Sequence, residues 1–236
     1  MSKLLDNPVW HALRGPQSEF AEVAAGGAAL GFQRRVSIFT AVDRVDDAGW
    51  DAQAELVGAE GMSFLFRDRV PELPSGWNEA FRIPTLQLVA QELAPAPEIP
   101  VERLGEDDVE EMLALTKLTE PGPFLRRTHE LGRYVGIRHG GRLVAMAGER
   151  FRLPGWTEIS AVCTHPDARR KGLGAALSLW VAGHIREQGS EAFLHVVETN
   201  HSALRLYESI GFTLRRKVDV VGAQWMGQAV APGGRA

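Results

Sequence analysis

The sequence predicts an α/β fold in two parts. Three observations carry that prediction. A proline-rich seam at residues 92–100, ELAPAPEIP, separates two stretches that each mix helical and strand periodicity. The second stretch contains a hairpin signal, HGG at 139–141, between two apolar runs. It also contains a strand that runs through a glycine-bearing loop straight into a long amphipathic helix.

The 236 residues can bury a sizeable core, and 44% apolar with 24% charged residues is the balance of an ordered globular chain. The 26 basic and 30 acidic side chains give a net charge of −4, with no long basic run. Nucleic acid is therefore not expected as a partner, because phosphate binding needs a clustered basic face. Cys163 is the single cysteine, so no intrachain disulfide can form. The histidines make no HxxxH or HExxH pair, and no metal is expected. No stretch has the length of a membrane span, and the N-terminus lacks a secretory h-region. A cytoplasmic protein is the expectation, monomeric or homodimeric.

In the first part, residues 1–95, Asn7 can cap a short helix reaching Leu13. Residues 37–42, SIFTAV, suit a strand, 50–57 a helix, 62–66 a short buried strand and 86–90 a strand leading to the seam. No catalytic constellation is visible in this divergent half. In the second part, residues 101–226, a strand at 101–104 precedes a helix at 107–118, whose first turn is acidic as the helix dipole favours. Pro121 and Pro123 end that pattern. Strands at 133–138 and 142–153 flank the HGG turn, and Pro154-Gly155 makes a second turn before a strand at 158–164. The long helix reaches about residue 188, with Leu173, Leu177, Trp180, Val181 and Ile185 on its apolar stripe. A strand at 192–197, a helix at 202–209 and a strand at 213–221 complete the order β-α-β-β-β-α-β-α-β.

The chemistry concentrates in THPDARRKGLGAAL, residues 164–177. Gly172 and Gly174 lack Cβ, so the chain can turn sharply and bring its amides close to an anion. The helix start that follows offers unpaired N–H groups and the positive dipole end. Arg169, Arg170 and Lys171 add positive charge, so a pyrophosphate-bearing molecule is the natural ligand. A P-loop would need GxxxxGK[ST], which is absent, and a dinucleotide fingerprint would need glycine where Leu177 stands.

These residues resemble the GNAT superfamily of acetyl-CoA-dependent N-acetyltransferases. AVCT followed by HPDARRKGLGAAL is similar to its coenzyme-binding segment. ETNHSALRLYESIGF resembles the signature that follows, in Asn200, Ala203, Leu206-Tyr207-Glu208 and Gly211-Phe212. The resemblance covers roughly residues 101–225, and the two-part layout looks most like the glycine N-acyltransferase-like branch. It implies a mixed, mostly antiparallel sheet flanked by helices. It implies acetyl-CoA, or another short acyl-CoA, as donor and a small-molecule or peptide amine as acceptor. A coenzyme-A-binding module without catalysis is the alternative.

By the same resemblance the backbone of Val162, Cys163 and Thr164 pairs with the pantetheine arm, and one of these amides polarises the thioester carbonyl. Arg169, Arg170, Lys171, Gly172, Leu173, Gly174 and Ala175 hold the pyrophosphate, with the Arg169 side chain able to brace the loop instead. Asn200 combines an N-cap with coenzyme contact. Tyr207 protonates the leaving thiolate, and Glu158 is the first candidate for general base, ahead of Glu149 and Glu198. Cys163 reads as a small buried side chain rather than a nucleophile.

Overall fold

A computed structural model describes residues 2–227. After a 3-10 turn come α1 (Pro8–Leu13), β1 (Ala21–Ala24), β2 (Ala29–Phe32), β3 (Thr40–Val42), α2 (Asp47–Val57), β4 (Met62–Arg67) and β5 (Trp77–Ala90). The second part supplies β6 (Glu102–Leu104), α3 (Val109–Thr119), β7 (Tyr134–His139), β8 (Arg142–Leu153) and β9 (Trp156–Thr164). It continues with α4 (Leu173–Glu187), β10 (Glu191–Val197), α5 (His201–Ser209) and β11 (Phe212–Trp225).

Local chemistry explains the boundaries. Asp46 caps α2, its side chain accepting from the Gly49 N–H at 3.0 Å, and Gly58 leaves the helix at φ 73°. The β7–β8 turn uses Gly140 and Gly141, both at positive φ, as the HGG signal requires. Besides a later start for β3 (Thr40 rather than residue 37) and an earlier one for α2 (Asp47 rather than residue 50), three outcomes differ from the sequence reading. The β1–β2 hairpin was not foreseen, β5 begins at Trp77 rather than residue 86, and β11 runs to Trp225 rather than 221.

All eleven strands form one sheet in the order β1-β2-β3-β4-β11-β5-β10-β9-β8-β7-β6. The pairs β3–β4 and β9–β10 are parallel and the rest antiparallel, so the sheet is mixed and mostly antiparallel. One topological unit occurs twice: β3–α2–β4 and β9–α4–β10 are each two parallel strands joined by a helix. The strands on either side of the 92–100 connector are interleaved. β5, from before it, pairs with β10, while β11, from the end of the described chain, pairs with β4 and β5.

Side chains alternate across the strands and build a core on each face. On one face Leu177, Val181 and Ile185 of α4 pack with Val135, Ile159, Leu194 and Leu88. On the other, Val9 and Leu13 of α1 pack with Phe151, Phe193 and Phe66. Met112 and Leu115 of α3 cover Tyr134, Met146 and Cys163 on that second face.

Candidate active site

The site begins as a gap in the sheet. β9 and β10 pair from Trp156 opposite Glu191 to Ile159 opposite Leu194, and their pairing ends there although both strands continue. β9 stays a strand because β8 holds it, with Met146 opposite Cys163 and Ala145 opposite Thr164. β10 stays a strand because β5 holds it, with Leu86 opposite Val196 and Thr85 opposite Val197. Between them the edge of β9 facing β10 is open.

A bulge marks the point of divergence. Gly148 faces Ser160 and Met146 faces Cys163, and within that stretch Ala161 sits at φ 52°. A left-handed alanine costs ~1–2 kcal/mol and redirects the strand that follows, which holds Val162 to Thr164.

The end of β9 delivers the glycine loop. Gly172, at φ 74° and ψ 5°, is the N-cap of α4 and provides no capping side chain, so the first-turn N–H groups are left for another acceptor. Arg170 is also left-handed at φ 62°. The Arg169 Nε donates to the Thr164 carbonyl at 3.3 Å, bracing the loop against the strand. Arg169, Arg170 and Lys171 are exposed and, among the described residues, make no ion pair. A Cβ on Gly174 would lie 3.6–3.9 Å from Leu206, Val162 and Thr164, an ordinary packing distance. The protein's own packing therefore does not require glycine there.

Asn200 and Tyr207 stand across the gap. The Asn200 side chain caps α5 by accepting from the Ala203 N–H at 3.1 Å. Tyr207 is buried, its ring edge-on to Phe212, and burial raises its pKa, so the hydroxyl keeps its proton. Both residues line a cavity of about 310 Å³ together with Ser160, Ala161 and Val162. Thus the structure brings together β9, the loop start, Asn200 and Tyr207.

Glu158 occupies a different place from the one expected of a base. It is fully buried, and its carboxylate accepts from Arg150 Nε at 2.8 Å, Arg150 Nη2 at 2.6 Å and His195 Nδ1 at 2.6 Å. Burial alone would raise its pKa, but the charge and hydrogen bonds of Arg150, with those of His195, hold it at about 2. A carboxylate so satisfied is a weak base at neutral pH. Glu149 accepts from the Arg133 N–H and lines a separate cavity with Arg103, Arg152 and His184. Glu198 is half-buried and paired with Lys217. Burial pushes the Cys163 thiol up to about 11, which leaves little thiolate.

The residues that sequence reasoning missed are Arg150, His195, Phe39, Phe66 and Glu120, all lining the same cavity. The His195 ring lies tilted against Phe66, with centroids 4.2 Å apart. Glu120 is the one carboxylate among the described lining residues; it ends α3 in the left-handed conformation, φ 49° and ψ 53°, beside Pro121. That conformation in a residue other than glycine or asparagine was the available structural clue, but sequence alone does not display it.

A parted parallel strand pair closed by a glycine loop and a helix start is thus the geometry of the site, and comparisons with known proteins place the fold. Residues 134–221 match the family described as FR47-like protein. A crystal structure of a GNAT-family protein from Novosphingobium aromaticivorans is 36% identical, with a TM-score of 0.82, over 94% of this chain and 98% of that one. The chain belongs to the GNAT family. A GCN5-related N-acetyltransferase from Kribbella flavida shares the fold at a TM-score of 0.62 and 19% identity, covering 97% and 96% of the two chains. Mycothiol acetyltransferase from Thermomonospora curvata is 42% identical over 82 residues, 34% of this chain. That match spans only 27% of the relative's own length. Among the described residues, no helix is long and apolar enough to cross a membrane.

Proposed function

We propose that the chain transfers an acetyl group from acetyl-CoA to an amine by direct attack. The observation that carries this reading is the parting of β9 and β10 beyond Ile159 and Leu194, immediately before the 169–175 loop. The open edge of β9 suits the amide-bearing pantetheine arm, and the uncapped start of α4 suits the pyrophosphate. An amide at Val162 would donate to the thioester oxygen as negative charge develops there.

The amine nitrogen forms the new C–N bond, and the C–S bond breaks. The Tyr207 hydroxyl, which keeps its proton at neutral pH, gives that proton to the departing thiolate. The ammonium proton leaves toward Glu120, which lines the cavity, while Glu158 holds Arg150 and His195 in place. The N-terminal half contributes the far wall of the cavity and so shapes the acceptor side.

The test is calorimetry with CoA together with a thiol-release assay using acetyl-CoA and a panel of amines. Micromolar CoA binding and amine-dependent thiol release are expected. Tyr207→Phe should lower kcat tenfold or more with unchanged CoA affinity, and Glu120→Gln should lower kcat at least tenfold with CoA affinity likewise unchanged. CoA binding without turnover would favour a sensor, and no CoA binding would refute the reading.

A further inference from the structure

The cavity passes through the sheet at the gap. Ile159, Val196 and Tyr207 line it and belong to the core on the α4 face, whereas Phe39 and Phe66 line it and belong to the core on the α1 face. The glycine loop leads into α4, so the coenzyme approaches from that face. The chamber on the α1 face is left for the acceptor.

That chamber has an uneven chemistry. Phe39, Phe64, Phe66 and Phe81, with Ile38 and Ile83, make its walls. Arg150 also lines it, with Cζ 5.1 Å from the Phe39 ring centre, 5.7 Å from Phe66 and 4.6 Å from Phe151. Arg150 spends Nε and Nη2 on Glu158, and among the described residues Nη1 has no hydrogen-bond partner. Nη1 is thus the guanidinium nitrogen left for a ligand in the cavity that Arg150 lines.

The surrounding network prevents Arg150 from turning away. Gln87 is oriented by Arg215 Nη1, which donates to its Oε1 at 2.7 Å, and by its own Nε2 donating to the Leu5 carbonyl at 2.8 Å. That amide nitrogen also meets His195 Nε2 at 2.9 Å, so His195 Nε2 accepts and its Nδ1–H donates to Glu158. Burial lowers the His195 pKa in keeping with this neutral form. Glu158 is thus pinned from both sides, and Arg150 with it.

Two donors of a guanidinium, set among phenyl rings in a partly dry chamber, favour a carboxylate and disfavour a second ammonium. The rings favour an apolar or aromatic body. Glu120, the one carboxylate among the described residues that line the cavity, is there to take up the proton of the amine.

We propose that the acceptor is an amino acid with a large apolar side chain, its carboxylate held by Arg150 Nη1 and its side chain among the phenylalanines. This rests on the acetyl-transfer reading above. Acceptors with several ammonium groups would place a second cation beside Arg150, whose partner Glu158 is already committed to it.

The experiment compares phenylalanine, phenethylamine, glycine and spermidine in the thiol-release assay with acetyl-CoA. Phenylalanine is expected to exceed phenethylamine and glycine at least tenfold in kcat/KM, and spermidine to be the poorest. The paired variant Arg150→Met with Glu158→Gln removes both charges, and the preference for phenylalanine over phenethylamine should collapse to within about twofold. Should that variant fail to fold, the wild-type protein still decides. 3-Phenylpropanoate should compete with the acceptor, and 3-phenylpropanol should compete at least tenfold more weakly. Turnover of phenethylamine or spermidine as good as that of phenylalanine overturns the acceptor inference and leaves acetyl transfer standing. Absence of turnover with every amine, with CoA still bound, overturns both.

Discussion

Replacing Glu158 by glutamine keeps the shape of the side chain and removes its charge. The carboxylate is fully buried and meets Arg150 twice and His195 once, so the substitution leaves the Arg150 cation without a counter-charge. A carboxyl held at about 2 instead of the ordinary 4.5 is worth ~3 kcal/mol at neutral pH. Breaking a buried pair by removing one partner costs a similar ~3–5 kcal/mol. In a domain of this size that corresponds to a fall in Tm of roughly 6–20 °C. The sign in acid follows from the depressed pKa. The unfolded chain takes up its proton near 4.5 and the folded chain only near 2, so the contribution is complete above 4.5 and is lost as the pH falls toward 2. Thermal unfolding followed by circular dichroism from pH 7 to pH 2.5 measures both effects. The reasoning fails if Glu158→Gln costs less than about 1 kcal/mol at pH 7. It also fails if wild type and variant lose stability in parallel below pH 5.

Other perturbations test the remaining parts. Gly174→Val should leave Tm within a few degrees of wild type, since a Cβ meets nothing nearer than 3.6 Å, yet weaken CoA binding tenfold or more by calorimetry. Gly148→Ala should destabilise by about 2–3 kcal/mol in urea melts, because its Cβ would lie 2.3 Å from the Tyr134 ring beneath it. A fragment starting at residue 96 lacks β5, the strand that holds the far end of β10, and should be recovered unfolded or aggregated. A soluble fragment with full turnover would contradict that placement.

The second half was the more legible in sequence, for physical reasons. Its helices and hairpin are written in local periodicity and in glycines that turns demand, so β7, β8, α4 and α5 fall within a residue or two of expectation. β5 was read short because Pro84 sits inside it. Pro84 pairs with Asp219 on the β11 side, and its carbonyl accepts from the Glu198 N–H just past the end of β10, so no ladder bond needs the missing donor. The β1–β2 hairpin, AEVA and ALGF, is too rich in alanine and glycine to announce strands. The 169–175 loop could be recognised because anion binding there is a property of contiguous backbone. Arg150, His195, Phe39 and Phe66 could not, because pairing across the sheet assembles them from distant segments, and each alone looks like ordinary core.

The interleaving of β5 and β11 bears on how the chain is made. As the polypeptide emerges from the ribosome, β5 and β4 appear long before β10 and β11, the strands that will flank them. The backbone donors and acceptors of β5, and those on the side of β4 turned away from β3, stay uncovered until residues 191–225 exist, and only then can the sheet close around them. Folding is therefore an event of the nearly finished chain, governed by contacts of long sequence separation and correspondingly slow. Through that interval the growing protein carries open strand edges that favour chaperone capture or self-association.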